Sequence, residues 1–251
     1  MNNIACFIPA RYESRRFAGK ALACIDGKPM IQHVHERAQK AAGLSCLAVV
    51  TDDLRIHDVV AGFGGLVVMT PAGLPTGTDR IAAALEILGI IDDDMIIVNV
   101  QGDQPCITAG HINQVAGVLM DCGEPFAMAT LAYQLRGDAD IHDPNTVKVV
   151  FDSRFQALYF SRSHIPHRSS PAGACYKHLG IYAYRRPFLK TFAALPQGRL
   201  EQAENLEQLR AIENGHGIRI AVTEIDSPSV DIPGDIPTAA TFMQNHGGCA
   251  G

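Results

Sequence analysis

The run "CLAVVTDDLRIHDVVAGFGGLVVMT", Cys46 to Thr70, decides the fold class. Its two ends, "CLAVVT" and "GLVVMT", are nearly continuous in apolar residues, the pattern of strands buried on both faces. Between them "DLRIHDVVAGFGG" carries a helical pattern and closes in glycine, as helix C-termini often do. The scheme repeats on either side. "IACFI" and "MIIVNV" read as further buried strands, and "PMIQHVHERAQKAAG" puts Ile31, Val34, Ala38 and Ala41 on one helical face before Gly43. "GTDRIAAALEILG" and "AGHINQVAGVLM" read as helices too. Such alternation predicts an α/β fold with a mostly parallel central sheet and helices on both faces.

The second half changes character. "TVKVVFDSRFQALYFSR" reads as two strands around a "DSR" turn, "KHLGIYAYRR" as a third, and together they predict a small β extension at about 146–186. "GRLEQAENLEQLRAIENG" reads as one amphipathic helix with Leu206 and Leu209 inward and Gly215 closing it. "IRIAVTE" is a last strand and "VDIPGDIPTAATFMQ" leads into a terminal helix, with "NHGGCAG" as a frayed tail. Without linkers or repeats, residues 1–251 are expected to form a single domain bearing that extension.

Bulk properties exclude several classes. A chain of 251 residues can bury a sizeable core, and its formal charge of −5 argues against a nucleic-acid partner, which calls for a basic face. The seven cysteines are scattered singly, which suits reduced thiols in the cytoplasm better than a disulfide framework. No stretch approaches the roughly 18 apolar residues of a membrane span, and the N-terminus lacks a signal-peptide pattern.

Against that acidic background the loop "PARYESRRFAGK" stands out, with Arg11, Arg15, Arg16 and Lys20 opposed only by Glu13. Ligands of open parallel sheets bind beyond the carboxyl ends of the strands. Here the first strand ends in this loop, the second in Thr51-Asp52-Asp53, the third near "PTGTDR" and the fourth in "QGDQP". Cations, hydroxyls and an isolated carboxylate at one edge suit a nucleoside triphosphate with its metal. Each cation within about 4 Å of a phosphate charge contributes a gross attraction near 4 kcal/mol at a surface dielectric. Arg11 and Arg16 offer bidentate forks, Lys20 a point charge, and Gly19 a close backbone approach. A solvated basic loop remains the competing reading, and the Walker pattern is absent because Ala21 follows Lys20. Asp103 sits where a carboxylate can hold Mg²⁺, or where a turn former or helix cap would sit. Asp231, in "SVDIPGD", is by itself a turn residue first. His164 and His167 lack the companions of a zinc site. No serine nucleophile elbow is visible.

Taken together these motifs resemble those of the CMP-Kdo synthetases (3-deoxy-manno-octulosonate cytidylyltransferases). The likeness runs in register from Ile4 to about Asp235 through "IPARYESRRFAGK", "IDGKPMIQHV", "TGTDR", "VNVQGDQP", "ALYFSRSHIP", "KHLGIYAYRR", "LEQLR" and "VDIPGD". It implies a nucleotide-diphospho-sugar transferase-like fold and transfer of CMP from CTP to an acidic eight-carbon sugar, with Mg²⁺ and release of pyrophosphate, for lipopolysaccharide. Catalytic roles fall by resemblance on Arg11, Lys20, Asp103 and Asp231, with Asp103 and Asp231 as metal ligands. Nucleotide contacts fall on Arg11, Ser14, Arg16, Lys20, Thr76, Gly77, Thr78 and Arg80. Sugar contacts fall on Gln101, Arg162, His178, Tyr182, Glu207 and Gln208. The resemblance further implies a homodimer meeting through Thr146 to Arg186. The chain departs from the usual pattern at Ala18 (commonly Pro), Gln104 (commonly Glu) and Gly234 (commonly Glu), and "HRSSPAGACY" is short. With Gln104, that shortening leaves room for a variant substrate, and "GDQP" and "YKHLG" resemble the segments of relatives that favour the 8-amino form of the sugar. A cytidylyltransferase for another acidic sugar, a metal-dependent glycosyltransferase and a catalytically inactive CTP-binding regulator stand as the competing readings.

Overall fold

The computed structural model describes residues 3–14, 16–123, 125–167 and 173–246. Arg15 of the basic loop, the middle of "HRSSPAGACY" (168–172) and the end of the predicted tail (247–251) lie outside the described residues. The chain folds as two compact units. The first combines Met1–Asn113 with Ser227–Gly251, and the second is Gln114–Asp226.

In the first unit, strand β1 (Ile4–Pro9) is buried along its whole length. A two-residue hairpin follows, β2 (Cys24–Ile25) and β3 (Lys28–Pro29), turning at Asp26 and Gly27, both with positive φ. Asp-Gly is the preferred pair for such a tight turn. Then come α1 (Met30–Ala38), β4 (Leu44–Thr51), α2 (Leu54–Gly62), β5 (Val67–Met69), α3 (Gly77–Ile87), β6 (Ile96–Val100) and α4 (Ala109–Asp121), which runs across the division of the chain. The predicted helix ending at Gly43 is shorter than read. It stops at Ala38, and Gly43 instead offers its carbonyl to the N–H of Ile4 at 3.2 Å.

The strands β6, β1, β4 and β5 pair in parallel in that order. The chain therefore steps outward from β1 to β4 to β5, then returns to the far side of β1 as β6. Right-handed crossovers put α1 and α2 on one face and α3 on the other. The reversal between β1 and β6 creates a topological switch point, the place where open α/β sheets bind ligands. Gly102, just beyond β6, lies so close that a Cβ there would sit 3.0 Å from the carbonyl oxygen of Pro9.

The second unit holds β7 (Met128–Gln134), α5 (Asp138–His142), β8 (Lys148–Phe151), β9 (Ala157–Ser161), β10 (Tyr176–Arg185), α6 (Arg186–Ala194), α7 (Arg199–Glu204), α8 (Leu209–Glu213) and β11 (Ile218–Thr223). β7 is central, antiparallel to β10 and parallel to β11, while β8 pairs with the start of β10 and with β9. Neither β7 nor α6 follows from the hydrophobic periodicity read above. The expected single helix over 198–215 is two helices, because Asn205 turns left-handed at φ 53. That break lets Arg210 reach back to Glu201, its Nη2 at 2.6 Å from Oε1 and its Nε at 2.8 Å from Oε2, with both side chains almost fully buried. Nine residues along one straight helix would hold them about 13 Å apart. Leu206 and Leu209 point inward as read.

The terminal helix α9 (Ile236–His246) belongs to the first unit. Val230, Ala239 and Met243 pack with Ile25, Met30 and Cys106, and Phe17 and Phe242 lean on the same cluster. Apolar burial thus returns the last segment of the chain to the sheet where it began.

Replacing Gly102 by Ala should lower unfolding stability by about 1–3 kcal/mol, the cost of overpacking against a backbone oxygen. Gly117→Ala, where nothing described lies within 4 Å of the added methyl, should raise it by about 0.5–1 kcal/mol through helix propensity. Urea midpoints of the two variants against the parent check both signs.

Candidate active site

The loop that follows β1 closes on itself. Gly19 donates its N–H to the carbonyl of Tyr12 at 2.8 Å and adopts φ 69, in the left-handed region. Its N–H is thereby spent inside the loop. Phe17 drops into the apolar cluster, and Lys20 opens a tight 3-10 turn whose next residue, Ala21, is buried. Lys20 is thereby held at both neighbours, and its Nζ lies 2.7 Å from Asp103 Oδ2 and 3.5 Å from Asp231 Oδ1. Arg16 adds a bond from Nη2 to Asp231 Oδ1 at 2.7 Å.

Two aspartates so distant in sequence meet for a specific reason. The N–H of Val230 donates to the carbonyl of Asp103 at 2.9 Å, while the Val230 side chain is buried in the core. Asp235 Oδ2 then accepts from the N–H groups of Asp231 and Ile232 at 2.8 and 3.0 Å, fixing the turn that presents Asp231. One ammonium touches both carboxylates, so the pair is close enough to share a cation. Among the described residues no group of three His, Cys, Asp or Glu side chains forms a cage. Two hard oxygen donors side by side suit Mg²⁺, which takes one or two carboxylates and completes its shell with phosphate and water.

Beside the loop lies a cavity of about 840 Å³ lined by Arg11, Ser14, Asp52 and Arg80 among others. Arg80 is buried, with Nη1 donating to Thr70 Oγ1 at 2.6 Å and Nη2 to Asp52 Oδ2 at 2.9 Å. The rest of the "TGTDR" segment acts on the helix. Thr76 caps α3, its Oγ1 accepting from the N–H of Asp79 at 3.1 Å and donating to Asp79 Oδ2 at 2.8 Å. Thr78 is fully buried, and Gly77 packs against the Pro9 ring, where a Cβ would fall 3.0 Å from Cγ. Of this segment, Arg80 alone borders the cavity. Tyr12, Asp53 and Arg55 border it as well and were not foreseen, although the acids closing β4 had marked that strand end.

Gln101, predicted on the sugar side, lies in the first unit, its Nε2 donating to Asn99 Oδ1 at 2.9 Å. The other predicted sugar residues lie in the second unit. The ladder between β10 and β7 skips between Leu179 and Tyr182. Thr130 Oγ1 lies 2.7 Å from the carbonyl of Ile181, 3.1 Å from that of Leu179 and 3.0 Å from His178 Nε2. A hydroxyl has one hydrogen, so with that hydrogen given to a carbonyl the imidazole must donate through Nε2, leaving Nδ1 as an acceptor. The bulge also brings the rings of His178 and Tyr182 to 5.4 Å, where a regular strand would separate positions four apart by about 13 Å. Burial, followed by the nearby Glu207 carboxylate, pushes the Tyr182 phenol up. Gln208 is buried at the start of α8.

Arg162 is engaged elsewhere, donating to the carbonyls of Glu204 and Pro144 at 2.9 and 3.1 Å. Glu204 holds the end of β9 by accepting from Ser161 Oγ at 2.6 Å and the Arg162 N–H at 2.9 Å. Buried Lys148 gives its three donors to the carbonyls of Asp143, Thr146 and Arg162 at 2.6–2.9 Å. Neither Glu204 nor Lys148 stood out in the sequence.

A cationic loop and paired carboxylates at the switch point of an α/β sheet define a class that handles nucleotide phosphates. The chain belongs to the cytidylyltransferase family, whose model matches residues 5–222. It is a nucleotidyltransferase. It is 54% identical over 235 residues to the 8-amino-3,8-dideoxy-manno-octulosonate cytidylyltransferase of Shewanella loihica and 56% identical to that of Shewanella halifaxensis, in each case over 93% of this chain and 96% of the relative. Among solved structures, it is similar to a CMP:2-keto-3-deoxy-manno-octonic acid synthetase complexed with CTP, at 40% identity and TM-score 0.87, over 97% of this chain and 99% of the other.

The environment of His178 sets a pH dependence. Burial lowers its pKa from 6.5 to about 3, so between those values the unfolded chain binds a proton that the folded one refuses. Stability should therefore fall as pH drops from about 6.5 towards 3. Urea midpoints across that range should decline less steeply in His178→Gln than in the parent.

Proposed function

We propose that this chain joins CTP to a 3-deoxy-manno-octulosonate-type sugar acid, giving the CMP-sugar and pyrophosphate, and that its own substrate is the 8-amino form. The observation that carries the reading is the contact of Lys20 with both Asp103 and Asp231 at the β1/β6 switch point. The preference for the 8-amino sugar rests on relatives of that name being 54–56% identical, against 40% for the Kdo synthetase structure.

In this reading Arg11, Ser14, Arg16 and Lys20 grip the triphosphate, with Arg80 at the cavity wall that receives the nucleoside. Asp103 and Asp231 would hold Mg²⁺, which when bound neutralises phosphate oxygens and lowers the pKa of a coordinated hydroxyl. The anomeric oxygen of the sugar bonds to the α-phosphorus, and the bond to the bridging oxygen breaks. Pyrophosphate leaves with the electron pair, and the hydroxyl proton passes to water. Lys20 and the arginines stabilise the charge that grows on the departing pyrophosphate. No protein nucleophile takes part. Gln101, Arg162, His178, Tyr182, Glu207 and Gln208 are assigned to the sugar acid. Of these, His178 offers an uncharged acceptor at Nδ1, suited to a sugar hydroxyl.

The reading includes a cytoplasmic enzyme of lipopolysaccharide precursor synthesis, and no described helix is long and apolar enough to cross a membrane. It includes a homodimer too, supported by Phe155 and Leu158, which leave 42% and 55% of their surface exposed on and beside the β8–β9 hairpin. Sedimentation at micromolar concentration should give twice the chain mass, and a monomer would correct it.

Pyrophosphate release measured with CTP and UTP across a panel of acidic sugars tests the assignment. Turnover with CTP and 8-amino-Kdo should exceed that with Kdo, and failure of both sugars would reject the reading. Asp103→Ala and Lys20→Ala should each lose about 10²–10³ in kcat, the usual loss when one transition-state charge partner is removed, while both remain folded. A normal rate for Asp103→Ala at limiting Mg²⁺ would remove it from the metal site.

A further inference from the structure

The basic loop is fastened from outside by a residue with no assigned role. The Arg55 guanidinium carbon lies 3.2 Å from the centre of the Tyr12 ring, over its face. Asp53 grips the same guanidinium, with Oδ1 accepting from Nε at 2.9 Å and Oδ2 from Nη2 at 2.5 Å. That carboxylate also caps α2 by accepting the Arg55 N–H at 2.9 Å. Its pKa is held down mainly by the side-chain bond from Arg55. The clamp therefore stands on the start of a helix whose Ile56 and Val60 are fully buried.

The Tyr12 ring has Gly19 on another side. A Cβ on Gly19 would lie 3.1–3.3 Å from ring atoms Cε2 and Cζ and from Oη. Tyr12 is thus the buckle of the loop: its carbonyl receives the Gly19 N–H, its ring lies against Gly19, and Arg55 covers the ring. Arg11 and Ser14 flank Tyr12 along the chain, and Lys20 follows Gly19 directly. All except Gly19 and Lys20 line the same cavity.

We propose that Arg55 is a positioning residue, which clamps Tyr12 and so preorganises the loop that receives the CTP triphosphate. Two of its nitrogens are committed to Asp53, so its charge is largely answered and it acts through Tyr12 instead of gripping phosphate. An exposed cation–π stack is weak by itself. Its leverage comes from the loop, since a clamped loop does not have to be ordered when the nucleotide arrives. The clamp rests on the function proposed above only in naming CTP as what the loop receives.

Steady-state kinetics of Arg55→Ala, Tyr12→Leu and the double variant test the assignment, together with limited trypsin digestion. Each single change should raise KM for CTP about three- to tenfold with kcat nearly constant. The double variant should be no worse than either single one, because both remove the same contact. Tyr12→Phe keeps the ring face and should restore most of the affinity. Asp53→Asn, which keeps a good cap but frees the guanidinium, should also raise KM, whereas a direct phosphate ligand would bind more tightly once released. Trypsin should cut between residues 11 and 20 several-fold faster in Arg55→Ala than in the parent, with unchanged thermal midpoints. An unaltered KM, multiplicative losses in the double variant or an unaltered cleavage rate would each overturn the clamp. A parent inactive with CTP would instead reject the CTP reading, leaving the cleavage rates to decide whether the loop is clamped.

Discussion

One backbone hydrogen bond, from Val230 N–H to the carbonyl of Asp103, governs how this chain makes a site. It joins the loop after β6 to the segment before α9, and it stands only because Val230, Ala239 and Met243 bury their side chains with Met30 and Ile25. A single bond of this kind contributes about 1 kcal/mol net. Burial of several large apolar side chains supplies the rest, at roughly 1.5–3 kcal/mol each. Packing therefore pulls the end of the chain back to the β1/β6 switch point, and the hydrogen bond sets the register in which it arrives. Asp231 comes to face Asp103 as a consequence.

The cationic loop answers to the same core. Phe17 packs against that cluster, between the buckle at Tyr12 and the turn that begins at Lys20. The loop carries several positive charges that repel one another, so something must hold it against expansion. Phe17 holds it from below, Gly19 closes it, Arg55 covers Tyr12, and Asp231 takes up both Arg16 and Lys20. Asp103 and Asp231 serve here as counterions to the cations of the loop. In the proposed function those already placed charges would exchange partners for a phosphate chain and its cation.

In the second unit the organising devices are local irregularities. The bulge in β10 over Thr130 brings His178 against Tyr182, and the left-handed Asn205 lets Arg210 close on Glu201. Both cost regular hydrogen bonding and both gather polar side chains that a straight element would keep apart. Lys148, with three carbonyls about its ammonium, ties the turn at 143–146 to the strand end that carries Arg162.

The parallel strands of the first unit were legible because both faces are buried, which leaves uninterrupted runs such as "MIIVNV", and because helical patterns ending near glycine separate them. The resemblance in eight ordered motifs identified the family and named Lys20, Asp103 and Asp231. The Asp26-Gly27 hairpin went unread, although Asp-Gly is a favoured pair for such a turn. What periodicity could not convey was how Thr76 and Thr78 would be spent on capping and burial, since hydroxyls beside a helix start serve a ligand or a helix equally well in sequence. Strand β7 escaped because "MATLAYQ" is too rich in alanine to read as a strand. The break at Asn205 escaped because a buried ion pair, invisible in one dimension, outweighs helical continuity. The stack of Arg55 on Tyr12, residues far apart along the chain, exists only once β1 and β4 lie side by side. Local preference is written along the chain, whereas contacts between distant segments are decided by which surfaces the core brings together.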